Sequence, residues 1–270
     1  MADPGVVSAR TGDSVFDGVV TNDTAATRLA IVNVDITGLW TTPDSPRPID
    51  APLVADRPDH QEWLTAMDRT TLEDGRLGLY DRFDSELLEG EPVIVASGDT
   101  DGWTRVTSPW QPYDGSDTGY PGYIRTAHLT PVEDASLDAL PDSGLAPTTE
   151  TFLAEARTHI GLPYLWGGIS PKGLDCSGLV HLSLRRLGIV FPRDGGDQYR
   201  ACADVPIDQA QPGDLYFFAQ PGKEIHHVGI VTGPGRILHS PSTGQDVVEE
   251  EMPAQRLQTL TKVGRIRQLQ

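Results

Sequence analysis

The chain is poor in cysteine, in positive charge and in long apolar runs. Its 270 residues include only 2 cysteines, so disulfide bonds are not the framework of the fold. Lys and Arg number 21 against 39 Asp and Glu, which gives a net charge of −18 and argues against nucleic acid or an anionic membrane as a partner. No run approaches the roughly 18 apolar residues of a membrane span. We therefore expect a folded, water-soluble protein.

The amino terminus also lacks the pattern of a secretory signal. MADPGVVSARTGDSVFDG contains no basic segment followed by an apolar one. If Met1 is the natural start, we expect a cytoplasmic protein; if a leader was removed, we expect a secreted one. The sequence leaves the oligomeric state open.

Turn residues and composition shifts divide the chain into four parts. Residues 1–27 form a polar arm, and residues 28–132 alternate in short β-type runs with an insertion at 43–75. A continuous strand is predicted over 28–36 and a short helix over 59–67. Residues 133–147 are acidic and punctuated by proline, as in a linker, and a second domain of helices and strands occupies 148–270.

Cys176 stands at the start of a predicted helix. Apolar residues recur at helical spacing over 179–187, which places Cys176 in the first turn and on the buried side. A helix N-terminus stabilises a thiolate, so we expect a lowered thiol pKa and a reactive sulfur. The alternative is an inert packing cysteine, which is our interpretation of Cys202, since no motif surrounds it.

Two histidines follow on a predicted hairpin centred on Gly233. With that centre, His227 and His239 are directly opposite each other on one face, with Cβ atoms roughly 4.5–5.5 Å apart. A cysteine nucleophile needs such a base and an orienting partner. A surface accident or half of a metal site are alternatives, but no second ligand pair has metal spacing. We expect neither a metal nor a cofactor.

These motifs together resemble the NlpC family of cell-wall peptide hydrolases, which are papain-like cysteine peptidases. The resemblance covers about residues 150–270 and rests on Tyr164-x-Trp166-Gly167-Gly168, Asp175-Cys176-Ser177-Gly178, His227-Val228-Gly229-Ile230 and His239. It implies Cys176 as nucleophile, His227 as base, His239 as the polar third member and Tyr164 beside the oxyanion. The implied fold class is α+β, with the cysteine helix packed on an antiparallel sheet that carries the histidines.

Residues 28–132 resemble, more loosely, a bacterial SH3-like barrel, and the 43–75 insertion resembles that of murein-peptide endopeptidases in the same family. In those enzymes an Asp after the catalytic helix and a Glu of the barrel grip the free amine of L-Ala, and a tyrosine of the barrel narrows the pocket. These residues map to Asp194, Asp84 and Tyr120. Asp84 is one methylene shorter than Glu, and Glu86 on the same strand face is the alternative.

The neighbours of the motifs complete the substrate-binding set that the resemblance implies. That set comprises Tyr164, Trp166, Asp175, Ser177, Asp194, Tyr120 and Asp84. Helix capping is the alternative role for Asp175, and a solvated loop is the alternative for Asp194.

The resemblance implies a γ-D-glutamyl-L-diamino-acid endopeptidase. Its expected substrate is a murein peptide, L-Ala-γ-D-Glu-diaminopimelate, cut during recycling of cell-wall peptides. Alternatives are a secreted hydrolase acting on intact peptidoglycan, a papain-like acyltransferase and a non-catalytic binding protein. The intact set of Cys176, His227 and His239 argues against the last of these.

Overall fold

A computed structural model describes residues 28–96, 98–135, 137, 140 and 144–269. The predicted arm at 1–27 lies outside the described residues, and so does about half of the predicted linker at 133–147. The described strands fall on either side of that linker, in two large sheets and one small one.

The N-terminal sheet has seven antiparallel strands in the order β3-β2-β6-β5-β4-β1-β7. In chain order the strands are β1 (Arg28–Val32), β2 (Ile36–Trp40), β3 (Phe83–Leu88), β4 (Pro92–Val95), β5 (Trp103–Ser108), β6 (Tyr120–Arg125) and β7 (Leu129–Val132). Alternate apolar residues of these strands form a buried cluster that includes Val32, Leu39 and Val106.

The single strand predicted over 28–36 is in fact two strands. After Val32 the chain bends, and the Asp35 carbonyl accepts a hydrogen bond from the Glu89 N–H at 3.1 Å. β1 pairs with β4 and β7, whereas β2 pairs with β3 and β6. The apolar alternation continues through the bend, which is why the sequence pattern does not reveal it.

The insertion forms two helices, α1 (Ala51–Val54) and α2 (His60–Asp68). The predicted helix at 59–67 is confirmed: Asp59 caps α2 by accepting a hydrogen bond from the Glu62 N–H at 2.9 Å. The buried face of α2 carries Trp63, which packs in one cluster with Phe83 of the N-terminal sheet and Leu165 beyond the linker. The insertion therefore joins the two halves of the chain.

The C-terminal half mixes helices with an antiparallel sheet. Its helices are α3 (Thr149–Arg157), α4 (Cys176–Arg185), α5 (Gly195–Ala201) and α6 (Ala254–Leu257). A two-stranded ribbon of β8 (Ile169–Ser170) and β9 (Gly173–Leu174) precedes α4. The C-terminal sheet has the order β10-β15-β11-β12-β13-β14. Its strands are β10 (Ala203–Val205), β11 (Leu215–Ala219), β12 (Ile225–Gly233), β13 (Arg236–His239), β14 (Val248–Glu251) and β15 (Leu260–Arg265).

Helix α4 packs on the C-terminal sheet through its apolar face. Leu179 and Val180 share one buried cluster with Val228, Ile230 and Leu238 of the sheet, and the partly buried Cys176 packs against it. The packing brings the N-terminus of α4 to the β12–β13 hairpin, where the two predicted catalytic histidines lie.

Polar contacts hold the N-terminal sheet against this half. Glu91 is fully buried and accepts a hydrogen bond from Arg185 of α4 at 2.6 Å. The Trp166 indole donates to the Phe83 carbonyl at 2.8 Å. Burial and the charge contacts between these elements fix the position of the N-terminal sheet beside the start of α4.

Candidate active site

Cys176 is the first residue of α4, and its sulfur accepts a hydrogen bond from the Val228 N–H of β12. Burial raises the pKa of the Cys176 thiol to about 11, and the negative charge of Asp175 adds to that rise. The predicted lowering of the thiol pKa is therefore wrong. Burial destabilises the thiolate more than the helix N-terminus and the Val228 N–H stabilise it.

The two histidines of the hairpin are in contact, though not in the predicted register. Ile230 is opposite Leu238 and Val231 is opposite Ile237, with a shift before Gly233. His227 and His239 are therefore diagonal neighbours on the same face rather than a directly opposed pair. Their rings meet through His227 Nε2 and His239 Nδ1, which are 2.8 Å apart.

His227 is buried and uncharged near neutral pH. Burial lowers the pKa of His227 well below its usual value, and the positive charge of Arg256 lowers it further. Cys176 is thus a neutral thiol and His227 a neutral imidazole. In such a pair the imidazole takes the thiol proton as the sulfur attacks, instead of before substrate arrives.

Glu250 is a member of this cluster that the sequence analysis missed. Its Oε1 lies 3.0 Å from His239 Nε2, on the side of the ring away from His227. Glu250 is the middle acid in a run of three at 249–251, and only the strand register shows which one points toward the histidine.

Tyr164 and Trp166 lie in the loop before α4. Burial raises the pKa of Tyr164 well above its usual value, and the nearby Cys176 acts in the same direction. The tyrosine therefore stays a neutral hydroxyl beside the predicted nucleophile. The ring of Trp166 packs against Tyr80 with centroids 4.2 Å apart. This contact and the hydrogen bond to the Phe83 carbonyl both fix the loop to the N-terminal half.

Asp175 is saturated by contacts within the protein. Its two oxygens accept hydrogen bonds from the Gly178 N–H at 2.6 Å, the Gly167 N–H at 2.9 Å and the Ser177 hydroxyl at 3.2 Å. Arg193 binds both oxygens, at 3.1 and 2.5 Å. These contacts favour the helix-capping role of Asp175 over direct substrate binding, and they involve Ser177 in the same network.

Arg193 is a second residue that the sequence analysis missed. It is 1% exposed, and besides Asp175 it donates to the hydroxyls of Ser85 at 2.9 Å and Ser177 at 2.9 Å. Ser85 lies on β3, so this guanidinium links the N-terminal sheet to the N-terminus of α4. A buried arginine right after a proline gives no periodic signal in the sequence.

Asp194 and Tyr120 meet across the boundary between the two halves. The Tyr120 hydroxyl donates to Asp194 Oδ2 at 2.9 Å. Burial raises the pKa of Asp194 to about 6, while Arg193 and the Tyr120 hydroxyl act against that rise. The pKa of Tyr120 is raised well above its usual value by burial and then by the charges of Asp194 and Asp84. The three residues that the resemblance assigned to an amine pocket are therefore close together.

Glu86, the alternative to Asp84, has other partners. It is fully buried, and it accepts hydrogen bonds from the Ile169 N–H at 2.9 Å and pairs with His60 Nε2 at 2.5 Å. Asp84 is partly exposed and its charge acts on Tyr120. Of the two carboxylates on β3, the geometry favours Asp84 for the pocket.

The described residues contain neither a metal-binding cluster nor a membrane-spanning helix. Within those residues, no group of three or more His, Cys, Asp or Glu side chains is arranged to hold a metal ion. Over the same part of the chain, no helix has the length and apolar character needed to cross a membrane.

The NlpC/P60 family profile matches residues 161–265. The gamma-D-glutamyl-L-lysine dipeptidyl-peptidase of Bacillus subtilis (strain 168) is 32% identical over 270 residues, covering 78% of this chain and 90% of its own. The protein of that name from Bacillus cereus (strain ATCC 10987 / NRS 248) is 29% identical, covering 81% and 84%.

A solved structure extends the likeness to three dimensions. The crystal structure of an NlpC/P60 family protein from Bacillus cereus ATCC 10987 superposes with a TM-score of 0.78 at 25% identity, over 88% of this chain and 99% of that one. The alignments run over most of each chain, and the matched family region contains Cys176, His227 and His239. The chain belongs to the NlpC/P60 family of peptidoglycan-hydrolysing cysteine peptidases.

Proposed function

We propose that the protein is a cysteine endopeptidase that cuts the γ-D-Glu–diamino-acid bond of murein peptides with a free N-terminal L-Ala. The observation that carries this proposal is the contact between Tyr120 and Asp194, in which a tyrosine of the N-terminal sheet donates a hydrogen bond to a carboxylate of the C-terminal half. The names of two relatives, both gamma-D-glutamyl-L-lysine dipeptidyl-peptidases, support the same bond type.

The chemistry begins with the neutral pair of Cys176 and His227. The imidazole takes the thiol proton as the sulfur adds to the γ-carbonyl carbon of D-Glu, which gives a tetrahedral oxyanion. Backbone N–H groups in the first turn of α4, which have no intrahelical acceptor, point toward that oxygen. Burial of Tyr164 keeps its hydroxyl protonated, so it too can donate there.

Collapse of the intermediate breaks the C–N bond. His227 returns its proton to the leaving amine of the diamino acid, and a thioester to Cys176 remains. Water then attacks the thioester, with His227 accepting the proton of the water and passing it to the departing sulfur. The products are L-Ala-D-Glu and a peptide or amino acid with a new amino terminus. An acyltransferase would differ only at this step, where an amine replaces water.

The N-terminal ammonium of the substrate supplies positive charge to the Asp194 end of the cleft. Asp194 is close to Arg193, but the Arg193 guanidinium directs its hydrogen bonds to Asp175 and two serines. An ammonium bound by Asp194, with Asp84 and the Tyr120 hydroxyl nearby, would favour the charged form of a carboxylate whose pKa is otherwise raised.

The test compares L-Ala-γ-D-Glu-diaminopimelate with its N-acetyl form, and repeats the pair with L-lysine as the diamino acid. Acetylation removes the positive charge and leaves a carboxylate without its partner, which costs roughly 3–5 kcal/mol in a buried site. We expect kcat/KM to fall on the order of 100- to 1,000-fold. Cys176→Ala serves as the blank, and mass spectrometry of the products identifies the bond that is cut.

Equal turnover of the free and acetylated peptides, within a factor of a few, would overturn the amine pocket. The protein would then be a hydrolase of intact wall peptides, whose stem is acylated at L-Ala. A free-amine requirement instead supports recycling of released peptides and the cytoplasmic location that goes with it, which remain part of this proposal.

A further inference from the structure

Glu250 contacts His239 but has no role in the chemistry proposed above. It is on β14 next to β13, where His239 is opposite Val248. Its carboxylate oxygen is 3.0 Å from His239 Nε2, and His239 Nδ1 is 2.8 Å from His227 Nε2. His239 is 1% exposed. The imidazole of His239 is thus held between an acid and the catalytic base by both of its nitrogens.

We propose that Glu250 is a positioning residue, which sets the proton positions of both histidines so that His227 presents a basic nitrogen to Cys176. The atoms that can donate a hydrogen bond determine where each proton lies. An ionised carboxylate only accepts hydrogen bonds, so His239 Nε2 carries the proton toward Glu250. A neutral imidazole has one N–H, and His239 Nδ1 is therefore an acceptor.

The proton position on His227 follows from that on His239. Because His239 Nδ1 accepts, His227 Nε2 donates across the 2.8 Å contact. Burial keeps His227 neutral, so its Nδ1 has no proton and carries the lone pair. That nitrogen is the one left for the thiol proton of Cys176. The opposite arrangement, with the proton on His239 Nδ1, would put a proton on His227 Nδ1 and remove the base.

The other charged groups around His239 do not determine which of its nitrogens carries the proton. Arg256 of α6 acts on both histidines, and its positive charge lowers the pKa of each. His226 acts on His227 in the same direction. These groups favour neutral rings but do not select a tautomer. Glu250 is the acceptor that faces His239 Nε2, and its side chain is 39% exposed, so water can replace part of its effect after substitution.

The first experiment replaces Glu250 with methionine, which has similar length and no comparable acceptor. We expect kcat to fall roughly 10- to 100-fold, as for loss of other orienting partners of a functional histidine, with KM within about twofold. The control is Glu251→Met, which removes the same charge from an exposed residue of the same strand and is expected to leave kcat unchanged. Unchanged kcat in Glu250→Met would overturn the proposal.

A double substitution separates positioning from mere structural support. In His239→Asn the amide oxygen accepts from His227 Nε2–H without any help from Glu250, so that variant should retain part of the activity. Adding Glu250→Met to it should then have little further effect. If Glu250→Met costs as much in the His239→Asn background as in the natural chain, Glu250 acts by another route and the proposal fails.

Two readouts do not depend on the murein substrate, because the inference rests on the cysteine–histidine chemistry of the proposed function but not on its amine pocket. Nitrogen NMR of the full chain with labelled histidine should show the proton on Nε2 of both His227 and His239. The rate of alkylation of Cys176 by iodoacetamide should fall in Glu250→Met and not in Glu251→Met. A proton on Nδ1 of His239 in the natural chain would overturn the proposal even if the peptide is cut as expected.

Discussion

Asp175 and Asp194 both lie near Arg193, but they have very different surroundings. The Asp175 group, with Ser85, Ser177 and Arg193, is closed: the carboxylate accepts from two backbone N–H groups, a hydroxyl and a guanidinium. In the Asp194 group, with Asp84 and Tyr120, the hydrogen bond that joins the members comes from a neutral phenol. A carboxylate whose bonds are all internal supports structure, whereas one with a raised pKa is suited to bind a cation.

The contrast also shows why position next to the nucleophile is a poor guide to function. Asp175 directly precedes Cys176, and its charge raises the thiol pKa. Asp194 is farther along the chain, yet it lies where the two halves of the protein meet. The number and kind of donors around each carboxylate distinguish the two roles better than sequence distance does.

The largest expected effect comes from opening the closed group. Arg193→Met leaves Asp175 buried without its guanidinium, and we expect a loss of about 3–5 kcal/mol in the free energy of unfolding, measured by denaturant titration. The control is Arg69→Met, because Arg69 pairs with Glu62 at the surface at 3.1 Å. That variant should lose no more than about 1 kcal/mol. Similar losses in both variants would contradict the assignment of Asp175 to a structural network.

The Asp194 group should respond in activity rather than in stability. Asp194→Asn removes one charge from the proposed amine pocket, so kcat/KM for the free-amine peptide should fall on the order of 100-fold. The N-acetyl peptide should be little affected, so the ratio between the two substrates narrows. Asp208→Asn, an exposed acid with the same charge change, is the control. A loss that is equal for both peptides would show that Asp194 does not read the amine.

A pH profile sharpens the same comparison because it titrates the Asp194 carboxyl in the range where the enzyme can be assayed. The pKa of Asp194 is raised to about 6 by burial. Below that pH the carboxyl becomes neutral and no longer attracts an ammonium, so kcat/KM should fall with decreasing pH, by up to about tenfold per pH unit. Above that pKa the carboxylate is fully charged, so this group no longer makes kcat/KM depend on pH.

The control for that profile is the acetylated peptide, which has no ammonium to bind. Its kcat/KM should lack the limb near pH 6 that comes from Asp194. Asp194→Asn should lack this limb with either substrate. An acid limb of the same position and size in all of these measurements would assign it to another group, such as His227.

The smallest expected effect distinguishes the two carboxylates of β3. Asp84→Glu restores the residue that the related endopeptidases carry and keeps the charge, so kcat/KM should change by no more than about threefold. Glu86→Gln should lower stability, since Glu86 is fully buried against His60 and the Ile169 N–H. It should leave the preference for the free amine unchanged. A change in that preference in Glu86→Gln would reverse the assignment.

Much of the candidate site could be predicted from sequence because its parts are local. A cysteine at the start of an amphipathic helix and two histidines with even spacing on a hairpin are patterns within short windows. The packing of α4 on the sheet follows from the apolar positions of both elements. The hairpin register was wrong because the shift between Val231 and Gly233 moves the pairing without changing which side chains share a face.

What the sequence could not give depends on contacts between distant residues. The raised pKa of Cys176 results from burial that only the packed structure has. Glu250 was hidden in a run of acids, and Arg193 makes its bonds to residues from two other elements. The choice between Asp84 and Glu86 was open because His60, which binds Glu86, comes from the insertion. The SH3-like character of residues 28–132 and the domain boundaries remain predictions.

The buried Glu91 of the N-terminal half holds the guanidinium of Arg185 at 2.6 Å. A shortened protein without residues 1–132 would leave the Arg185 guanidinium without its acceptor Glu91. It would also leave the Ile169 N–H without its carboxylate acceptor Glu86. Cleavage of the chain between 133 and 147, in contrast, would leave the bonds of Glu91 to Arg185 and of Glu86 to the Ile169 N–H in place. The two pieces should stay associated and active after that cut, so the protein would behave as a tightly bound heterodimer that happens to be encoded as one chain.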